Sequence, residues 1–89
     1  MRKFNKNRIA DIQIIRTLWK DSVGAEVAGE SKVVSFSRGI LTIDVFSSAL
    51  IQELRQFHYE SVVKDLRDNW QAATPLLRIK FQPGKRHGG

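Results

Sequence analysis

His58 and His87 are the only side chains of this 89-residue chain whose ordinary pKa lies near neutrality. A general base needs a nucleophile to deprotonate and an acid to orient it. His58 stands beside Phe57 in a helical stretch with no such company, so it reads as a surface or partly packed residue. There is no cysteine, which removes thiol nucleophiles, disulfides and thiolate metal sites together. Asp65 and Asp68 are spaced i, i+3 and would share a helix face. Two carboxylates alone make a poor metal site, and beside Lys64 and Arg67 they read as a solvated, charge-balanced face. Pro83-Gly84-Lys85-Arg86 lacks the glycine-rich loop ending in Gly-Lys-Ser/Thr that cradles nucleotide phosphates. The inventory points away from an enzyme and names no catalytic residue, metal or cofactor.

The cations carry a stronger signal. The formal charge is +6, and six side chains near the ends account for all of it: Arg2, Lys3, Lys6, Arg8, Lys85 and Arg86. Between Ile9 and Gly84 nine basic and nine acidic residues cancel. A neutral body between cationic ends suits a polyanion at the ends and a different task for the body. The expected organisation is a flexible basic arm over residues 1–8, a single domain over 9–84 and a flexible basic tail over 85–89. The six end cations could neutralise up to about six phosphates, each steepening the log–log salt dependence by roughly 0.9 on duplex DNA or 0.7 on a single strand. Phosphate contacts carry no base information, so sequence-specific recognition is not expected.

The elements that position these groups follow from periodicity. Ile12, Ile15, Trp19 and Val23 recur at helical spacing, predicting an amphipathic helix from near Asn7 that weakens at Gly24. Residues 25–28 add one turn and Gly29 stops it. Val34 and Phe36 alternate with Ser35 and Ser37, and Leu41, Ile43 and Val45 alternate with Thr42 and Asp44. Arg38-Gly39 between them predicts a tight hairpin. Ser47 or Ser48 is an N-cap for a helix running to about Trp70, with Glu53 in its early turns. That helix has a phase conflict. Leu50, Ile51, Leu54 and Phe57 define one stripe, and Tyr59, Val62, Val63 and Leu66 define another, rotated by more than a quarter turn. A bend or break near residues 57–59 resolves it; the alternative turns one stripe toward a partner. Thr74-Pro75 ends the helical region, and Leu77, Ile79 and Phe81 form the inward face of a third strand. The expected fold is α+β in the order α-β-β-α-β, with helices on one face of a three-stranded sheet.

Candidate contact residues then fall into place. Trp19 shares its stripe with core residues and is expected inside. Trp70 is either a lid on the core or an exposed contact. Tyr59 and Val63 on the second stripe, together with Trp70, are the candidate partner-binding residues. The polar side of the sheet holds Ser35, Thr42, Asp44, Arg78 and Lys80. Asp44 is expected to pair with one of those cations across the strands. Arg78 and Lys80 join Arg2, Lys3, Lys6, Arg8, Lys85 and Arg86 as candidate nucleic-acid contacts. No aromatic residue alternates onto that side, which argues against a base-stacking platform there.

Four weak patterns in order resemble a known family. Trp19, Val23-Gly24 and Val27-Ala28 resemble a W-x-x-x-V-G-x-x-hydrophobic-A opening. Gly39 to Val45 resembles a G-x-L-x-V-x-V strand. Ser47-Ser48 with Glu53-Leu54 resembles an S-S-x-x-x-x-E-L helix start, and Leu77 to Phe81 before Pro83-Gly84 resembles the last strand. Together, over about residues 9–84, they resemble the DciA-like domain. Leu50 and Glu30 stand where that family often has Trp and His. The resemblance implies a fold similar to a type II K-homology module, no ATPase activity, nucleic-acid binding, and the replicative DNA helicase as partner. Residues 56–59 lack the Gly-x-x-Gly loop with which K-homology domains clamp a nucleic-acid backbone.

At this length folding buries little more than about 60% of the unfolded chain's surface, so one thin core is expected. Hydrophobic residues make up 42% of the chain, and no apolar run is long enough to span a bilayer. The basic start lacks the apolar stretch of a signal peptide. The expectation is a soluble, cytoplasmic, non-enzymatic replication accessory protein. It would contact the replicative helicase and single-stranded or branched DNA or RNA, with no membrane and no small-molecule substrate. The alternatives are a K-homology-like RNA-binding protein and a pure protein-interaction module.

Overall fold

A computed structural model describes residues 4–70 and 74–84, with side chains of the first helix described from Ile12 onward. The elements are α1 (Phe4–Gly29), β1 (Ser31–Ser37), β2 (Ile40–Val45), α2 (Ser48–Glu53), a π-helical turn (Leu54–His58), α3 (Tyr59–Asp68) and β3 (Arg78–Pro83). The sheet order is β1-β2-β3, with β1 antiparallel and β3 parallel to β2. The expected α+β class and the α-β-β-α-β order are both present. The arrangement is compatible with a K-homology-like module.

Leu41, Ile43 and Val45 of β2 are fully buried on one sheet face, joined there by Val33, Ile79 and Phe81. The helices supply the other half of the core. Ile15 and Trp19 come from α1, Ile51 from α2, Leu54 from the π turn, and Val62, Val63 and Leu66 from α3. No helix among the described residues is long and apolar enough to cross a membrane.

The first helix begins at Phe4, three residues before the expected start, and is two helices joined at Gly24 (φ 89°, ψ 163°). That conformation is nearly exclusive to glycine. The kink lets the last turn, through Gly29, lead directly into β1. A buried hydrogen-bond relay fixes the corner. The Trp19 indole N–H donates to Ser31 Oγ at 2.9 Å, and the Ser31 hydroxyl donates to the Val27 carbonyl at 2.7 Å. The relay joins the body of α1, the turn beyond its kink, and the first residue of β1.

Three expectations about side-chain phase need correction. Alternation sets Val34 inward with Phe36, but Val33 is the buried residue and Val34 is 44% exposed. The pairing runs Val33 to Ile43 and then Ser35 to Thr42, so a bulge at Val34 resets the alternation and still brings Phe36 opposite Leu41. Alternation also sets Leu77 inward in the third strand, but Leu76 takes the core position and Leu77 is 61% exposed. The strand starts only at Arg78, so its alternation does not extend back to Leu77. Phe57, expected with Leu54 on a buried stripe, is 73% exposed.

The π turn explains Phe57. It inserts one residue into the helical register, so Leu54 and Tyr59, five apart, align along the helix instead of Leu54 and His58. Ile51 and Leu54 before the turn and Val62, Val63 and Leu66 after it thereby reach the same core. Phe57 and His58 bulge outward. The predicted break falls where the phase conflict put it. Elsewhere the capping is as the sequence implies. Ser47 is the N-cap of α2, accepting the Leu50 amide, and Arg38 (φ 55°) and Gly39 (φ 83°) make the hairpin turn with two positive φ angles. A Cβ on Gly39 would lie 2.5 Å from Leu77 Cγ, and the Gly39 carbonyl accepts the Leu77 amide at 2.7 Å.

Two substitutions test this corner. Ser31→Ala strands a buried indole N–H and is expected to lower the unfolding free energy by about 1–3 kcal/mol in urea titrations followed by tryptophan fluorescence. Gly24→Ala is expected to cost about 1–3 kcal/mol through the backbone alone, because no atom lies within 4 Å of the added methyl. An unchanged midpoint in either variant would remove the corner as a source of stability.

Candidate nucleic-acid interface

β3 lies at an edge of the sheet, and that edge is closed by side chains instead of a further strand. The Tyr59 hydroxyl accepts the Ile79 amide N–H at 3.1 Å. The Arg55 guanidinium donates to the Phe81 carbonyl at 2.9 Å. Arg67 of α3 donates to the carbonyls of Leu76 and Leu77 at 3.1 and 2.9 Å. The Tyr59 ring packs edge-on against Phe81, with centroids 6.3 Å apart. Unpaired edge groups invite pairing with other chains, and this one is occupied from within.

Alternation along β3 buries Ile79 and Phe81 and exposes Arg78 and Lys80. Arg55, Tyr59, Arg78, Ile79, Lys80 and Phe81 line an open trough of about 320 Å³ along this edge. Among the described residues no carboxylate pairs with Arg78 or Lys80. Asp44 is not the partner that its place on the polar side suggests. The register sets it opposite Gln82 instead, and the Gln82 amide donates to its carboxylate at 2.7 Å, while Thr42 faces Lys80 and Ile40 faces Arg78. Both predicted cations are thus left open to solvent.

The other predicted residues are scattered. Tyr59 is half-buried at the trough, and Val63 lies in the core at 6% exposure. Trp70 is a lid. It packs edge-on against Phe36 at 5.0 Å and donates its indole N–H to the Thr74 carbonyl at 2.8 Å. The backbone of Lys6 and Arg8 belongs to the first turns of α1. Arg2, Lys3, Lys85 and Arg86 lie outside the described residues, as does His87. His58 is exposed at the end of the π turn, and Lys64 and Asp68 form an exposed ion pair at 3.1 Å. Among the described residues no three His, Cys, Asp or Glu side chains gather where they could hold a metal ion.

Arg55 is the trough-lining cation that sequence reasoning missed. Its signal was faint: a lone cation between Arg38 and Lys64, four residues before Tyr59 on the long helix. Only the π turn and the chain's return as β3 bring it beside Arg78 and Lys80.

Comparison with protein families finds a match to the family described as "Dna[CI] antecedent, DciA" over residues 2–81. That span covers most of the chain and every element of the fold except the last two residues of β3. The family points to a role in DNA replication related to helicase loading. A comparison with curated proteins finds no match. From Trp19 and its glycine kink through to the third strand, the patterns that suggested a resemblance now have a structural reason, and the chain belongs to the DciA family.

Proposed function

We propose that this protein is a non-enzymatic accessory of DNA replication that associates with the replicative helicase and holds nucleic acid without reading its sequence. The observation that carries the reading is the family match over residues 2–81, most of the chain. One further feature supports it. The net charge is confined to end residues, with Arg2, Lys3, Lys6, Arg8, Lys85 and Arg86 flanking a body whose charges cancel. In this reading the body docks on the helicase in the cytoplasm. The end cations draw nearby single-stranded or branched DNA by counterion release, which is long-ranged and indifferent to sequence.

The central test is co-precipitation of the full chain with the replicative helicase of the same cell at micromolar concentration. Retention is expected, and its absence would defeat the helicase reading. Nucleic-acid titration across salt tests the second half. Removing residues 1–8 and 85–89 is expected to flatten the log–log slope on a single strand by roughly 0.7 for each phosphate that is no longer neutralised. A protein dedicated to RNA would bind RNA more tightly than DNA of equal length through the 2′-hydroxyl, and no such preference is expected.

A further inference from the structure

We propose that the concavity along α3 is a contact surface for a second copy of this chain. Two α3 helices pack antiparallel about a two-fold axis, and Leu77 of each copy enters the hollow of the other. The contact does not depend on the nucleic-acid or helicase readings above.

Three observations carry it. The first is a projection beside a hollow on one surface. The hollow encloses about 570 Å³ along α3, with Tyr59 and Val63 as its apolar floor. Leu77 borders it and is 61% exposed. A two-fold interface uses the same patch on both copies, so the patch must offer both a projection and the space that receives it. This one offers both. The second is rigidity. The Leu77 amide donates to the Gly39 carbonyl at 2.7 Å, and the Leu77 carbonyl accepts from Arg67 at 2.9 Å. Its side chain rests on Gly39, where an added Cβ would lie 2.5 Å from the leucine Cγ. An apolar side chain already fixed in its exposed position loses little freedom on docking. The third is charge order. Glu60, Lys64 and Arg67 are exposed and follow one another along the side of α3 that lines the hollow. With the axis between Val63 and Lys64, antiparallel packing brings Glu60 of each copy opposite Arg67 of the other and lays the Lys64 stem over Val63. Parallel packing would set Glu60 against Glu60 and Arg67 against Arg67. Asp68, the other acid on the rim, is already paired with Lys64 of its own helix at 3.1 Å. Arg67 holds the Leu76 and Leu77 carbonyls and keeps further N–H donors for a carboxylate.

An amphipathic helix of an unrelated protein is the rival occupant. It would have to bring both a hollow for Leu77 and the reversed charge order. A second copy meets both demands with the residues already present. One face of a ten-residue helix and one leucine make a small contact. Against the roughly 800 Å² per partner of a standard interface, a weak and reversible dimer is expected, with Kd on the order of 100 µM. A pair so joined presents two sets of end cations to one polyanion, and that consequence alone rests on the nucleic-acid reading.

The test is sedimentation equilibrium of the full chain from about 10 µM to about 1 mM, where a monomer–dimer equilibrium is expected. Leu77→Ala removes the projection from both copies at once and is expected to raise Kd about tenfold. Glu60→Lys sets a cation opposite Arg67 and is expected to raise Kd by a similar factor. Glu53→Lys makes the same charge change at an exposed site on α2, and Kd is expected to stay within about twofold. Matching urea midpoints would verify that the variants fold as the parent does. In a mixture of isotope-labelled and unlabelled chain, filtered spectra are expected to show Leu77 methyls near Val63 methyls of the other copy. A chain that stays monomeric throughout overturns the proposal. So does a dimer that survives both Leu77→Ala and Glu60→Lys, because another face then holds it. Equal weakening by Glu60→Lys and Glu53→Lys would reduce the charge effect to net charge and overturn the antiparallel register. A monomer that loses helicase retention on Leu77→Ala would assign the face to the helicase in place of a second copy. Retention that persists after the dimer is lost supports the self-contact and leaves the helicase reading standing.

Discussion

The relay from the Trp19 indole through Ser31 to the Val27 carbonyl is the constraint on which the fold turns. A core this thin cannot rely on area alone to fix how its first helix sits. Apolar burial is non-directional, and a helix can slide on a sheet at small cost. Two buried hydrogen bonds are directional, and breaking either leaves a donor or acceptor without water. The relay therefore selects one placement of α1. It also spans the kink, since Trp19 precedes Gly24 while Val27 and Ser31 follow it. Trp19 meanwhile lies against Phe81, with ring centroids 6.0 Å apart, so the first helix and the last strand meet at the residue that anchors the corner.

A second constraint acts on the connection between the parallel strands β2 and β3. The crossover must return across the same sheet face, and its apolar residues fall on two stripes out of phase. A uniform α-helix would bury one stripe and expose the other. The π turn at Leu54–His58 adds a single residue to the register, which rotates the second stripe back onto the core. Its consequence is geometric: Arg55 and Tyr59 are carried to the edge of β3, and Phe57 is turned into solvent. The bulge at Val34 solves the same kind of problem in β1, where one extra residue restores the alternation. Both insertions are local repairs of phase, and both bear on what the surface presents.

Much of this is legible in the sequence, and the limits are informative. The helical stripe of α1, the alternation of β2, the Arg38-Gly39 turn and the Ser47 cap are local signals, each sufficient in itself. The break in the long helix is inferable because the conflict between Leu54 and Val62 is written in the spacing. The kind of break is not, since only packing decides between a kink and a one-residue insertion. Val34 and Leu77 are misplaced by the pattern because a period of two cannot reveal a bulge or the residue at which a strand begins. Asp44 is misassigned for a related reason: strand registry, not residue type, sets Gln82 opposite it. Arg55 is invisible because Arg78 and Lys80 lie 23 or more positions away and meet it only after the crossover closes.

The closing of the β3 edge links the fold to its chemistry. An exposed edge strand must be shielded from pairing with other chains, and proteins commonly use charged side chains for that purpose. Here the shielding groups are an arginine and a tyrosine reaching in from the π turn and the start of α3, with Arg67 holding the segment before the strand. Alternation then sends Arg78 and Lys80 to the opposite side of the strand from its buried residues, where no carboxylate among the described residues neutralises them. Cations that serve as edge guards and cations that strand periodicity leaves exposed converge on one concave border. A positive border can therefore arise on an electrically neutral body without any local run of basic residues, because topology gathers what the sequence keeps apart.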